Sequence, residues 1–368
     1  MNVLHISRTM GQGGAEKIVC QLAESMHKRG DTVCVASSGG GYVERLKADG
    51  IIHYQIQDLE YKSPCVMLRT LFQLHRIIVR QKIDIVHTHH RMAAVYAYIL
   101  RVFHPKLKHI YTAHNVFYDK KSLTKAALRD AAVVAVGSGV KKNLTEFFHI
   151  SPAQITVIYN AVRPEPSENR YRNRTLDAWK EQGVSLLGII GRLSVQKGVD
   201  IFLSVISDLK RKGRHIRGIV VGDGELKKDL IQMAYDLGIE GDILFLGYQE
   251  HISTLISQLD LIIMPSRWEG FPLLPLEVFA EKKTIVGSNI SGINEIVSDG
   301  ENGRLVMKDD TRLFTEAAAE LLDNPGLRKR LGENGFDFYR QTFSYERFTE
   351  QYYSLYQKVL EEREKCGY

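Results

Sequence analysis

The stretch LDLIIMPSRWEGFPLLPLEVFAEKK, residues 259–283, decides the fold. It opens on a short apolar run, Leu259 to Met264, of strand length rather than helix length. Pro265 closes the run, a Gly270-Phe271-Pro272 loop follows, and Leu276 to Lys282 continues with helical character. A continuous apolar strand followed by a helix fits a parallel sheet covered on both faces.

Working outward, the same alternation recurs on both sides. Short apolar runs stand at Leu186 to Ile190, Ile216 to Val221, Ile243 to Phe245 and Thr284 to Gly287, each followed by Gly, Pro or polar residues. The first half begins strand, glycine loop, helix: Asn2 to Ile6, then Gly11 to Gly14, then Ala15 to Lys28. Further strand-like runs stand at Thr32 to Ser37, Ile83 to His87, His109 to Ala113 and Val133 to Val136. Between the halves, Arg163 to Arg174 is polar, carries Pro164 and Pro166, and reads as a linker. The expectation is an α/β chain of two doubly wound, Rossmann-like domains, 1–165 and 166–344, facing across a cleft. A helical, charged, tyrosine-rich tail follows from about Tyr345. Folds of this kind place ligands outside the carboxyl ends of the strands.

The bulk properties agree. With 368 residues, 44% hydrophobic and 25% charged, the chain has the size for two cores and the composition of a globular protein. No apolar run approaches the roughly 20 residues of a spanning helix. Met1 to Arg8 shows no export signal, and Cys20, Cys34, Cys65 and Cys366 are scattered, so a cytoplasmic, reducing setting is expected. Residues 1–165 hold 22 Lys and Arg against 12 Asp and Glu, whereas the remainder holds 27 against 31. A basic first half suggests an anionic partner. Nucleic acid is not expected, since neither zinc spacing, basic heptads nor an aromatic sheet motif occurs.

Four segments after strands can carry chemistry. Gly11 to Glu16 would let the backbone approach a phosphate at a helix start, although its glycines miss the dinucleotide spacing. Gly191-Arg192-Leu193 with Lys197-Gly198 offers a planar fork and a point charge for a diphosphate. Gly222-Asp223-Gly224 is another glycine turn. Glu269 and Glu277 flank the Gly-Phe-Pro loop, and carboxylates accept hydrogen bonds from sugar and ribose hydroxyls.

The ordered set of motifs resembles the family-4 glycosyltransferases, retaining enzymes of the GT-B fold. It runs through Gly13-Gly14-Ala15-Glu16, Thr112-Ala113-His114-Asn115, Gly191-Arg192-Leu193, Lys197-Gly198, Gly222-Asp223-Gly224, Glu269 to Glu277, Ser291 to Ile296 and Asn302-Gly303. The resemblance implies that Arg192 and Lys197 hold the diphosphate of a nucleotide-sugar donor. By the same token Glu277 binds the ribose and Glu269 the hydroxyls of the transferred sugar. The amides of Gly270, Phe271, Pro272 and Leu273 lie along sugar and phosphates, as far as each carries one. Gly191 and Gly222 shape the phosphate turns, and Phe245 to Gln249, including Tyr248, face the base. From the first domain, His114 with Asn115 beside it reaches the sugar, and Gly13 and Gly14 flank the diphosphate. His114, Arg192, Lys197 and Glu269 are the implied catalytic set.

The implied acceptor is a saccharide or lipid-linked saccharide bound by the first domain, which the last helix, about 345–368, completes. UDP is favoured over GDP, the setting is cell-surface polysaccharide synthesis, and the enzyme is expected to need neither cofactor nor metal. No Asp-x-Asp pair occurs in the sequence. Thr284 stands where the family often has proline. A basic amphipathic segment, residues 62–82, suits an anionic membrane surface. Two other readings stay open: a nucleotide-sugar epimerase of the same fold, and a catalytically silent nucleotide-binding partner of another transferase.

Overall fold

The computed structural model describes residues 1–11, 13–61, 63–163 and 172–365, with side chains through 361. Gln12, Lys62, Cys366 and the central part of the expected linker, 164–171 with Pro164 and Pro166, lie outside the described residues. The chain divides into two compact units, Met1–Ala161 with Tyr345–Tyr368, and Val162–Ser344.

In the first unit β1 (Asn2–Ile6), α1 (Gly14–Lys28), β2 (Thr32–Ser37), α2 (Tyr42–Ala48) and β3 (Ile52–Gln55) wind outward in one direction. The chain then returns through α3 (Pro64–Arg80) to β4 (Ile85–Thr88), on the other side of β1. From there α4 (Arg91–Phe103), β5 (Lys108–Ala113), α5 (Lys121–Ala127), β6 (Ala132–Ala135), α6 (Ser138–Glu146) and β7 (Ile155–Val157) wind the opposite way. The sheet order is β3-β2-β1-β4-β5-β6-β7, with every pair parallel. A reversal of winding between β1 and β4 opens a crevice at the carboxyl ends of those two strands.

The second unit repeats the plan. It contains α7 (Arg174–Glu181), β8 (Ser185–Ile190), α8 (Val199–Arg211), β9 (Ile216–Val221), α9 (Lys227–Asp236), β10 (Ile243–Gly247), α10 (Ile252–Gln258), β11 (Leu261–Met264), α11 (Leu274–Ala280), β12 (Ile285–Ser288), β13 (Arg304–Val306), α12 (Thr311–Asp323) and α13 (Pro325–Thr342). Its parallel order, β10-β9-β8-β11-β12-β13, reverses between β8 and β11. The doubly wound α/β expectation therefore holds in both units.

The central strands are buried almost throughout because helices cover both faces; β4, β11 and β12 have no exposed residue. Three strands go beyond the sequence reading, namely β3, β7 and β13, and all three lie at sheet edges. Helix starts are set by polar caps: the side chain of Asn173 accepts from Thr175 N and Leu176 N, and that of Asn324 from Leu327 N ahead of Pro325. The structure thus begins a helix at Arg174, inside the stretch read as linker.

The last helix, α14 (Tyr345–Lys365), belongs to the first unit. Phe348, Tyr352 and Tyr356, spaced one helical turn apart, are fully buried. Tyr352 OH meets Thr112 Oγ1 at 3.1 Å, and Tyr356 OH is bonded to His87 Nδ1. At the rim Arg29 bridges to Glu350 at 2.8 Å and covers the Tyr353 ring.

Candidate active site

In the second unit, the carboxyl ends of β8, β9, β10 and β11 bring four loops together. Gly191 and Gly222 both adopt positive φ, 151° and 130°, and pack backbone to backbone. Gly222 N donates to Gly247 O at 2.8 Å, tying the turn to the end of β10, next to the exposed Tyr248. Leu193 N donates to Asp223 O, and a side chain at Gly224 would meet the Leu193 carbonyl. These glycines are thus required by close approach. A methyl on Gly222 would sit 1.9 Å from the Gly191 carbonyl oxygen. Gly222→Ala is therefore expected to destabilise the second unit by more than about 3 kcal/mol. Gly241→Ala, with nothing within 4 Å, serves as the near-neutral control in the same urea unfolding series.

On this platform Arg192 is exposed, and among the described residues its side chain makes no hydrogen bond or ion pair. Lys197 lies in a short 3₁₀ turn, and its stem packs against the bare face of Gly191. Its ammonium meets Glu269 Oε1 at 2.6 Å, with the two side chains 22% and 7% exposed. Two residues 72 apart in sequence, both singled out for chemistry, are thus one charged pair. Gln196 Nε2 donates to Trp268 O at 2.8 Å and approaches Glu269 Oε2 at 3.4 Å. Below the loop, Gly270 packs against Gly292, and Phe271 lies on the Phe343 ring. Pro272 and Leu273 are buried, and Glu277 sits half-buried in the first turn of α11.

Sequence reasoning missed Arg267. Its guanidinium grips both oxygens of Asp200 at 3.1 and 2.7 Å, Asp309 at 2.8 Å and the Val195 carbonyl at 2.8 Å. It fastens the loop bearing Glu269 to the start of α8 and the turn bearing Lys197, as a planar fork can. Its place beside Trp268-Glu269 was the only signal.

In the first unit, the turn ahead of α1 ends at Gly13, its N-cap. Glu16 accepts from Thr9 Oγ1 at 2.8 Å and covers Gly13, where a side chain would collide with it. A second turn, Gly39 to Gly41, supports the first: Met10 N donates to Gly39 O, and Gly40 lies against the Met10 backbone. This supporting turn was also not anticipated. His114 and Asn115 follow β5; Asn115 Oδ1 accepts from Val116 N. His114 Nε2 faces His89 Nδ1 at 3.0 Å, and His89 Nε2 faces His5 Nδ1 at 3.0 Å. Burial pushes His114 down to about 4 and His5 down to about 3. His89 and His87 lie well below the ordinary histidine value, through burial first and neighbouring histidines second. The rings are therefore neutral at pH 7.

Among the described residues, His5, His87 and His89 form a trio whose nitrogens lie within 4.8 Å of one another. The trio fits a cation poorly. His87 spends both nitrogens on Tyr356 and Thr112, the chain to His114 uses His5 Nδ1 and both nitrogens of His89, and no carboxylate offsets a buried double charge.

Residues 178–338 match the family described as "Glycosyl transferases group 1", and residues 12–166 match "Glycosyltransferase Family 4". N-acetyl-alpha-D-glucosaminyl L-malate synthase of Bacillus anthracis is 24% identical over 95% of this chain and 94% of its own length. UDP-Gal:alpha-D-GlcNAc-diphosphoundecaprenol alpha-1,3-galactosyltransferase of Escherichia coli is 24% identical over 70% of this chain and 71% of its own. Anabaena HepE, solved with UDP-glucose, superposes with a TM-score of 0.84 at 20% identity over 97% of this chain and 100% of its own. That likeness shows the GT-B fold.

Proposed function

From the premise that this chain belongs to the group 1 and family 4 glycosyltransferases, we propose that it transfers a hexose or N-acetylhexosamine from a UDP-sugar to a saccharide or lipid-linked saccharide, with retention and without a metal. The observation that carries the reading is the Lys197–Glu269 pair beside the uncommitted Arg192, on a glycine platform at the winding reversal of the second unit. An ammonium has three donors, so Lys197 can hold Glu269 and a phosphate oxygen together. Glu269 retains acceptor capacity for a sugar hydroxyl. Glu277 takes the ribose and the Tyr248 segment the base, while His114, Asn115, Gly13 and Gly14 serve from the first unit. As the bond to the anomeric carbon breaks, negative charge grows on the leaving diphosphate, and the two cations, Lys197 and Arg192, stabilise it. The acceptor attacks from the face the diphosphate leaves. The relatives' names favour uridine and lipid-linked acceptors, since the Escherichia coli relative uses UDP-Gal and a diphosphoundecaprenol acceptor and HepE was solved with UDP-glucose.

Calorimetry with UDP, GDP, ADP and UDP-sugars in EDTA tests this. Binding of UDP and a UDP-sugar, weakened by Arg192→Ala and Lys197→Ala, is expected. Binding of no nucleotide, or binding only with Mg²⁺, contradicts it.

The acceptor substrate would be met at an anionic membrane surface. No helix among the described residues is long and apolar enough to cross a membrane. The outer face of α3 nevertheless carries Leu68, Phe72 and Val79, each more than half exposed, interleaved with Arg69, Arg76 and Arg80. Its inner face is Leu74, Ile77 and Ile78. Apolar and cationic groups on one exposed stripe suit an anionic interface. Reversing both charges with Arg76→Glu and Arg80→Glu is expected to weaken binding to anionic vesicles at least about 30-fold, at about 1 kcal/mol per cation removed. Unchanged sedimentation with such vesicles would rule the surface out.

A further inference from the structure

The first unit contains a row of histidines that the proposed chemistry, apart from His114, leaves without a role. His5 lies on β1, His89 just beyond β4 and His114 just beyond β5, so the row runs across neighbouring strands at the winding reversal. Register makes it possible: β1 and β4 pair His5 with His87, and His89 N donates to Ile6 O at 2.9 Å. The three rings follow one another at 5.3 Å and 5.3 Å between centroids, tilted by only 23° and 27°. Each step is a nitrogen-to-nitrogen contact of 3.0 Å.

Between two neutral imidazoles, one nitrogen must donate and the other accept. Two such links in series allow two arrangements in which every ring is neutral and both links are made. Either all three rings carry the proton on Nδ1, or all three carry it on Nε2. The far end discriminates between them. His5 Nε2 is buried and has no hydrogen-bond partner. The second arrangement would place an N–H there with nothing to receive it, and orphaned buried N–H groups are rarer than under-satisfied acceptors. The first leaves only a lone pair unmet.

We propose that His89 and His5 are positioning residues that hold His114 as the neutral tautomer protonated on Nδ1, so that its nitrogen outside the row is a hydrogen-bond donor. A donor of this kind, aimed by a fixed ring, suits a hydroxyl or ring oxygen of the transferred sugar; that use rests on the proposed function, whereas the tautomer does not. The row ends at a buried nitrogen without a partner, so it orients His114 and does not conduct protons away. The groups facing it are His87 from β4, itself bonded to Tyr356 of α14 and Thr112 of β5 at 2.8 Å, and His109 of β5, bonded to Thr88. Burial alone shifts His5 and His114, other histidines add to it at His87 and His89, and no carboxylate acts on any of the four.

The test is long-range ¹⁵N–¹H correlation of the imidazoles in the full chain between pH 6.5 and 8. In the unmodified protein His114 is expected as a single neutral tautomer with its proton on Nδ1. A proton on Nε2, a mixture of tautomers, or titration with an ordinary histidine midpoint overturns the proposal without any variant. In His89→Phe, His114 is expected to show mixed tautomers, and kcat to fall about 10-fold with the donor KM within about 2-fold. His89→Gln can accept from His5 and donate to His114, so it is expected to restore the Nδ1 proton and most of kcat. Identical behaviour of the two variants overturns the proposal. Full turnover by His114→Ala would instead refute the sugar contact, leaving the tautomer assignment to stand on the spectra.

Discussion

Lys197→Ala is expected to lower turnover of the proposed nucleotide-diphosphate sugar by about 10²–10³-fold, the cost of removing one stabiliser of developing negative charge if Lys197 acts as proposed. The ammonium is held by Glu269 at 2.6 Å and its stem is backed by Gly191, so its position is set without any ligand. Arg192 is exposed, where solvent screens a charge, and Arg192→Ala is expected to cost less. Lys197 also neutralises a carboxylate that is 7% exposed, so its removal leaves an uncompensated acid and lowers stability. The double variant Lys197→Ala with Glu269→Ala separates the two roles. Stability should return in part, since the orphaned acid is gone, while turnover stays at or below that of the single variant, since Glu269 is itself placed on the sugar. Recovery of turnover would mean that neither the phosphate clamp of Lys197 nor the sugar contact of Glu269 is right.

The second large effect is acid unfolding of the first unit. His5 and His109 are pushed down to about 3, His114 to about 4, and His87 and His89 well below the ordinary value, each by burial first. In the unfolded chain the same residues titrate near 6.5. As pH falls through 6.5 the unfolded state therefore binds protons that the folded state refuses. The stability these neutral rings contribute is present above pH 6.5 and is lost progressively down to the folded values near 3 to 4. Each ring steepens the fall by about 1.4 kcal/mol per pH unit, and five together by about 7. Against a typical total of roughly 5–15 kcal/mol, unfolding should be complete before pH 4. Both tryptophans, Trp179 and Trp268, belong to the second unit. Far-UV dichroism should therefore lose part of its amplitude between pH 6 and 4.5 before tryptophan emission shifts. Flat dichroism down to pH 4 would contradict this.

The central strands and the glycine turns after them were legible because a strand covered on both faces must be apolar along its length. Edge strands β3, β7 and β13 were not, since a partly wet strand such as Ile52-His53-Tyr54-Gln55 shows no apolar run. Gly191, Gly222, Glu269 and Glu277 were legible as residues after strands. The Lys197–Glu269 pair was not, because its partners meet only when β8 and β11 become neighbours. Arg267 was not singled out, since its three anchors, Val195, Asp200 and Asp309, are distant in sequence. Most of the 13 histidines fall in the first half of the sequence, and only the registers of β1, β4 and β5 turn that surplus into a line.

The hydrogen bond from His87 to Tyr356 spans 269 residues of sequence. Its partners leave the ribosome far apart in time. When Ala161 has been made, Thr112 and His87 still await Tyr352 and Tyr356, and nearly 200 residues must be added first. At about 5–20 residues per second that interval is roughly 10–40 s. Throughout it the nascent first unit lacks the partners of His87 on β4 and Thr112 on β5, while the second unit is synthesised and is free to fold. Order of synthesis and order of completion are thus reversed, and the half made first is the half finished last.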